Sequence, residues 1–318
     1  MTPNQSDTDL NYPQFPLYIV SKGRSEYMVT SKALTAMGVE HNIIVEPQEV
    51  DKYRKAVQDM GLLANIIELD MSFKEKYELC DNFGLTKSTG PGPARNFAWE
   101  HSIQQGFSHH WVMDDNIRNF RRLNKNDKVK VTTGSIFRAM EDFCARYKNV
   151  GMAGPNYVMF APARQKRPPF IKNTRIYSCN FIRNDLKYRW RGRYNEDTIL
   201  SIDMLKGGWC TIQFNAFLQE KMVTQLLKGG NTDEFYHKEG KVLKGKNYAD
   251  TGTVNKSRMQ VAVHPDVSEM TFRYGRWHHH VNYRKFSNLQ LIKKDDQELS
   301  TVIRSDDLEY GMQLKIKE

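Results

Sequence analysis

The sequence has few cysteines, no long apolar runs and fewer acidic than basic side chains, and each shortage excludes a class of protein. Its four cysteines, Cys80, Cys144, Cys179 and Cys210, lie far apart with no CxxC pair among them. Zinc knuckles and disulfide frameworks need patterned thiols, so these four are expected to be reduced and chemically idle. No apolar stretch approaches the roughly 20 residues that span a bilayer. The opening MTPNQSDTDLNYPQFP lacks a basic region followed by an apolar core. We therefore expect no membrane segment and no export signal, and place the protein in the cytoplasm. A chain of 318 residues is long enough to bury a large core.

Against 37 Asp and Glu stand 47 Lys and Arg, a formal net charge of +10. Such an excess attracts polyanions, nucleic acid and nucleotide phosphates among them. The basic residues gather in RNFRRLNKNDKVK, in PARQKRPPFIKNTR over 162–175, and in KYRWRGR over 187–193. The last interleaves Tyr188 and Trp190 with Arg189, Arg191 and Arg193, the mixture of a surface that grips phosphates and stacks on bases. Arg189, Trp190, Arg191 and Arg193 are thus candidate nucleic-acid contacts, with a solvated basic face as the alternative.

Hydrophobic periodicity sets the fold class. LYIV (17–20) is a short apolar strand that breaks into Ser21, Lys22, Gly23 and Arg24, and SEYMVTSKALTAMG then has helical spacing up to Gly38. HNIIVEP (41–47) is a second strand, QEVDKYRKAVQDMG a helix and ANIIELD (64–70) a third strand. This alternation predicts an α/β fold with a mostly parallel central sheet flanked by helices. Ligands of such sheets sit beyond the carboxyl ends of the strands. TTGSIFRAMEDFCARYKN has the spacing of an amphipathic helix, VGMAGPNYVMF and RIYSCNFIRN of strands, and GWCTIQFNAF and MQVAVHPDV of late strands. The Gly/Lys-rich section 228–258 between the last two is expected to be a mobile loop.

Three places put reactive side chains where such a sheet would use them. In STGPGPARNFAWEHSIQQG, Pro93 suits the first turn of a helix, Gly90 and Gly92 let backbone approach a ligand at its positive end, and Arg95 emerges from that turn. A plain loop and helix start is the alternative. Trp111, Val112 and Met113 form a buried strand that ends in Asp114, Asp115 and Asn116. Adjacent acids repel unless a cation, an arginine or water compensates, and closely spaced oxygen ligands suit a hard divalent ion. The alternative is a turn or helix cap. Finally, RYNEDTILSIDMLKGGW sets Asn195, Glu196 and Asp197 before a helix with Ile199, Leu200, Ile202 and Leu205 on its apolar positions, where an acid also serves as a cap.

The motifs GPGPARNFAWEHS, WVMDDNI, GPNYVMF, RYNEDTILSIDMLKGGW, HPDV and RYGRWHHHVNYRKF, in that order, resemble the TET/JBP-associated glycosyltransferase family, found chiefly in phages. The resemblance spans about 16–290. It implies a GT-A-type Rossmann-like domain over 16–290, with residues 1–15 a flexible tail and 291–318 a C-terminal extension. It further implies a nucleotide-sugar donor, most simply a UDP-sugar, a Mn²⁺ or Mg²⁺ ion, and transfer to the hydroxyl of a modified base in DNA such as 5-hydroxymethylcytosine. The partners would then be the nucleotide-sugar and double-stranded DNA carrying a hydroxymethylated pyrimidine, with no obligate protein partner. The compartment would be the host cytoplasm if the chain is phage-encoded.

The resemblance also carries roles to particular residues. Asp114, Asp115 and Asn116 match a DxD-like position, but the third residue is a neutral amide, which leaves open which side chain meets metal and which meets ribose. His264, in AVHPDV, is a further candidate metal ligand, with a surface histidine as the alternative. Asp197 is placed to take the acceptor hydroxyl's proton, with Glu196 orienting substrate, so that a single displacement with inversion is expected. Lys22 and Arg24 would hold phosphate or base, Glu46 would accept from a uracil or ribose, and Arg95 would meet phosphate. Arg273, Arg276, His278 and His279 would face the diphosphate or a DNA backbone. Two other functions stay open at this stage: a GT-A transferase acting on a glycan or protein, and a DNA-binding module without catalysis.

Overall fold

The computed structural model describes residues 10–81, 88–161, 167–222, 252–273 and 276–302. Residues 1–9 of the expected tail, 228–251 of the Gly/Lys-rich section, 303–318 of the extension and the side chain of Arg276 lie outside that description. The chain first alternates strand and helix: β1 (Leu17–Val20), α1 (Val29–Thr35), β2 (His41–Val45), α2 (Val50–Asp59), β3 (Ala64–Glu68), the short α3 (Ser72–Glu75), α4 (Gly92–Gln104) and β4 (His109–Asp114). There follow β5 (Ile117–Asn124), β6 (Asp127–Lys130), α5 (Ser135–Ala145), β7 (Val150–Tyr157), β8 (Phe170–Lys172), β9 (Cys179–Arg183), α6 (Glu196–Lys206) and β10 (Cys210–Lys221). The last elements are α7 (Gly252–Val263), β11 (Ser268–Arg273), β12 (Arg276–Val281) and α8 (Asp296–Val302).

One ten-stranded sheet organises the molecule, in the order β3-β2-β1-β4-β9-β7-β10-β5-β6 with β8 alongside β10. Strands β3, β2, β1, β4, β7, β10 and β6 run one way, and β9, β5 and β8 run against them. The sheet is thus mostly parallel. All four residues of β1 are buried. Leu17 and Ile19 pack on one face with Leu34 of α1, Tyr53 of α2 and Phe137 of α5, and Tyr18 and Val20 pack on the other with Trp99 of α4 and Leu200 of α6. A strand is apolar on both sides only where helices cover both faces of its sheet. Each such fully buried aliphatic side chain contributes roughly 1.5–3 kcal/mol against exposure, so the central strands fix the frame on which their loops are held.

Two local results differ from or extend the expectations above. The stretch MQVAVHPDV, read as a strand, forms the end of helix α7 and the turn after it. Its alternation of Met259, Val261 and Val263 imitates a period of two, but Met259 and Val263 are four apart and pack together beside Tyr194 and Ile199, as neighbours on a helix do. The basic stretch after the acidic turn forms the hairpin β5–β6, closed at Lys125 and Asn126 with φ of 47° and 73°. A two-residue turn with both φ positive matches the twist of paired strands.

Candidate active site

The co-directed strands β1, β2, β4, β7 and β10 bring their carboxyl ends to a cleft of about 380 Å³. Its walls include Ser21, Lys22 and Arg24 after β1, Glu46 after β2, Asp114, Asp115 and Asn116 at the end of β4, Arg95 on α4, Glu196 and Asp197 on α6, and Lys221 at the end of β10. Lys22, Arg24, Glu46, Arg95, Asp114, Asp115, Asn116, Glu196 and Asp197, all singled out in the sequence, therefore meet in one place, and Gly90, Arg193, Asn195 and His279 line the same cleft.

The acidic turn is held from beneath. Thr30, fully buried on α1, donates its hydroxyl to the Asp114 carbonyl at 2.7 Å and accepts the Ile117 N–H at 2.8 Å. Asp114 Oδ1 accepts from Arg95 Nη2 at 2.6 Å and Oδ2 from Lys221 Nζ at 2.5 Å. Burial alone would raise this carboxyl, but the Lys221 and Arg95 cations outweigh it and hold Asp114 well below the usual carboxylate range. Asp115 Oδ1 accepts from Arg24 Nη1 at 2.5 Å and Oδ2 from Ser21 Oγ at 2.7 Å. There burial prevails over Arg24 and Ser21, and the carboxyl is raised. Asn116 is buried with its Oδ1 unpartnered among the described residues.

Arg95 is the electrostatic centre. It is 1% exposed, and its guanidinium meets Asp114, Asp197 and, at 3.4 Å, Glu196, while stacking on the Trp190 ring at 4.6 Å. Glu196 and Asp197 lie in the first turn of α6 behind Asn195, whose φ of 55° lets the chain enter the helix sharply. Burial raises both acids, Glu196 to about 7, against the lowering by Arg95. A carboxyl near neutrality beside a second one is suited to exchanging a proton with a hydroxyl. Glu46 behaves oppositely. Burial would raise it, but Lys74, Gln48 and Lys22 bond to it and bring it down to about 2.

Two of the four expected nucleic-acid residues, Trp190 and Arg193, and one metal candidate are buried in other roles. Trp190 is buried and covers Arg95, so it offers no free ring for a base. Arg193 is buried and pairs with Asp81 at 2.6 Å. Arg191 makes a two-pronged bond to Asp203, both arms at 2.9 Å, and Arg189 lies over the Trp99 ring at 4.6 Å while donating to the Leu186 and Tyr188 carbonyls. Trp190 and Arg193 are thus internal supports of the site, whereas Arg189 and Arg191 stay half-exposed and line a second cavity with Lys187 and Tyr188. His264 is buried at the end of α7, with Nε2 3.5 Å from Asp203 Oδ1 and Nδ1 3.1 Å from Lys206 Nζ. Asp203 stands six residues beyond Asp197 on α6, about 9 Å along a helix, so His264 is not brought to the acidic turn. Gly92 also has another role than expected. A Cβ there would meet the Tyr77 hydroxyl at 1.8 Å, so the glycine admits a core tyrosine rather than a ligand.

Among the described residues, no group of three or more His, Cys, Asp or Glu side chains is placed to share a metal ion. Both oxygens of Asp114 and both of Asp115 already accept from side-chain donors. As a donor set the turn does not fit a divalent ion. The sequence reading missed Lys221, which also donates to Ser178 Oγ at 2.8 Å, and the wall formed by Tyr157, Phe160, Arg175 and Tyr177. No local signal pointed to Lys221, which follows the polar pair Gln219 and Glu220 beyond the apolar positions of GWCTIQFNAF.

Comparison with known proteins gives three findings. A family model described as TET-Associated Glycosyltransferase matches residues 15–230. Among solved structures, the inositol-1-phosphate CTP transferase from T. maritima aligns with 8% identity and a TM-score of 0.34, over 65% of this chain and 88% of that one. No curated protein matches the chain.

Proposed function

Because the chain belongs to the TET-associated glycosyltransferase family, which makes it a transferase acting in DNA base modification, we propose that it moves a sugar from a UDP-sugar to a hydroxymethylated pyrimidine in double-stranded DNA, such as 5-hydroxymethylcytosine. The observation that carries this reading is the convergence of an acid pair at the start of α6 with a cation-rich flank at the ends of β1 and β10. Sugar transfer needs both. The acceptor hydroxyl must lose a proton as its oxygen attacks the anomeric carbon, and the departing diphosphate must be stabilised as it takes the electron pair of the broken C–O bond.

In this reading Asp197 takes the proton and Glu196, across from the same guanidinium, positions the hydroxyl. Arg95 holds the acid pair against the acidic turn, and Lys22 and Arg24 meet the diphosphate. Attack from the side opposite the leaving group inverts the anomeric centre. Tyr157, Phe160 and Tyr177 line the cleft, and Phe160 is 41% exposed, so a base entering there meets aromatic faces on which it can stack. A DNA-binding module without catalysis would have no use for a half-buried acid pair in the cleft.

Asp197→Asn tests the assignment. The amide keeps the shape and the bond to Arg95 but cannot accept the proton, so transfer is expected to fall by roughly 10²–10⁴-fold with UDP-sugar affinity, measured by calorimetry, little changed. Undiminished turnover would remove Asp197 from the role of base.

A further inference from the structure

We propose that Lys221 takes the part of a divalent cation at the acidic turn, so that the leaving diphosphate is held by side-chain cations and donor binding needs no metal. This inference rests on the glycosyltransferase reading and adds to Lys22 and Arg24 a third cation that meets the diphosphate.

The position of Lys221 is built rather than incidental. It is the last residue of β10, paired with Ile117 of β5, and the register slips between Glu220 and Lys221, so that Glu220 faces Asn119 and Arg118 is skipped. A bulge at this point re-aims a side chain at the cost of a ladder bond, a device found beside active sites. Here it delivers Nζ to Asp114 Oδ2 at 2.5 Å and to Ser178 Oγ at 2.8 Å, with the side chain 17% exposed. The ammonium lies at the mouth of the acidic turn on a strand, not on a loop.

Every carboxylate oxygen of the turn already faces a side-chain donor. Arg95, Lys221, Arg24 and Ser21 between them occupy all four carboxylate oxygens of Asp114 and Asp115. Hard divalent ions take about six or more oxygens, with carboxylates among them. An ion entering here would have to break two ion pairs and sit against the displaced cations. What remains is the Asn116 amide oxygen, a single neutral donor. Meanwhile the cleft is lined by eight Lys and Arg side chains against five Asp and Glu. That surplus suits a diphosphate without further positive charge. In the transfer step the anomeric C–O bond breaks, its electron pair goes to the diphosphate oxygen, and the hydroxyl proton goes to Asp197. Lys221 keeps its own protons and stabilises the charge that appears on the diphosphate.

The test is calorimetric titration of UDP and of inorganic pyrophosphate into the full-length protein, in EDTA and in Mn²⁺, for wild type, Lys221→Met and Lys221→Arg. Wild type is expected to bind both probes in EDTA. Lys221→Met should weaken that binding by about 10- to 100-fold, the loss expected for one charge-assisted contact, and Lys221→Arg should largely restore it. Wild-type binding that appears only with Mn²⁺ would overturn the inference and leave the transferase reading standing. Absence of binding in both buffers would overturn both. A folded Lys221→Met that binds as wild type would also overturn the inference. If that variant does not fold, the wild-type comparison of EDTA with Mn²⁺ decides.

Discussion

Arg95 sets one guanidinium against three carboxylates, whereas Glu141 is a buried acid held by two neutral N–H donors. Glu141, 1% exposed, accepts from the Trp111 indole N–H and the Gln14 backbone N–H, both at 2.7 Å. Burial nevertheless pushes it up to about 7 from 4.5. Its folded pKa therefore lies above its unfolded one, so its protonated form favours folding. That contribution is complete below about pH 4.5 and is lost as pH rises through 7. It amounts to a figure on the order of 3 kcal/mol. Glu196, raised to about 7 as well, adds in the same direction. Urea unfolding at pH 5 and pH 8 should show the loss, and Glu141→Gln should flatten it. An unchanged slope in the variant would contradict the role given to Glu141. At this scale the sequence was legible wherever a residue's place depends on its own neighbours. Asp114 follows a strand, Arg95 opens a helix and Glu196 begins one. Lys221 was not legible because its place depends on β10 pairing with β5 and β7, which are far away along the chain. Trp190 was misread because composition does not say which side of a segment faces inward.

Among elements, α4 carries the greatest functional weight because its first turn aims Arg95. The start of that helix fits only around a glycine: Tyr77, whose hydroxyl donates to the Gly192 carbonyl at 2.9 Å, lies where a Cβ on Gly92 would be. Gly92→Ala is expected to cost about 1–3 kcal/mol through overpacking, read by urea unfolding, and to lower transfer because the shift propagates to Arg95, which holds the acid pair. A neutral effect on both would show that the helix start has room that the packing denies. The strands of the central sheet were readable from apolar runs alone, since both faces are covered. Helix α7 was not, because five residues of alternation cannot separate a period of two from one of 3.6 when the rest of the helix is polar. The hairpin β5–β6 escaped notice for a related reason: its basic composition suggested a surface for phosphate before its turn residues suggested a strand pair.

For the whole molecule, the formal charge of +10 and the cation surplus in the cleft act together on a polyanion. DNA binding should release condensed counterions, so the logarithm of affinity should fall linearly with the logarithm of salt concentration. Fluorescence anisotropy across a salt series measures the slope, and affinity independent of salt would contradict a basic docking surface. The fold class and the edge on which the cleft opens were both legible in the order of strands and helices. The acceptor was legible only through the family.

The central claim is transfer of a sugar to a hydroxymethylated base, and nucleoside mass tests it most directly. Protein, a panel of UDP-sugars and duplex DNA with or without 5-hydroxymethylcytosine are combined in EDTA and in Mn²⁺, and the DNA is digested to nucleosides for mass spectrometry. We predict a hexose or pentose mass added to hydroxymethylated nucleosides alone. Donor hydrolysis that leaves every nucleoside at its starting mass would contradict the account.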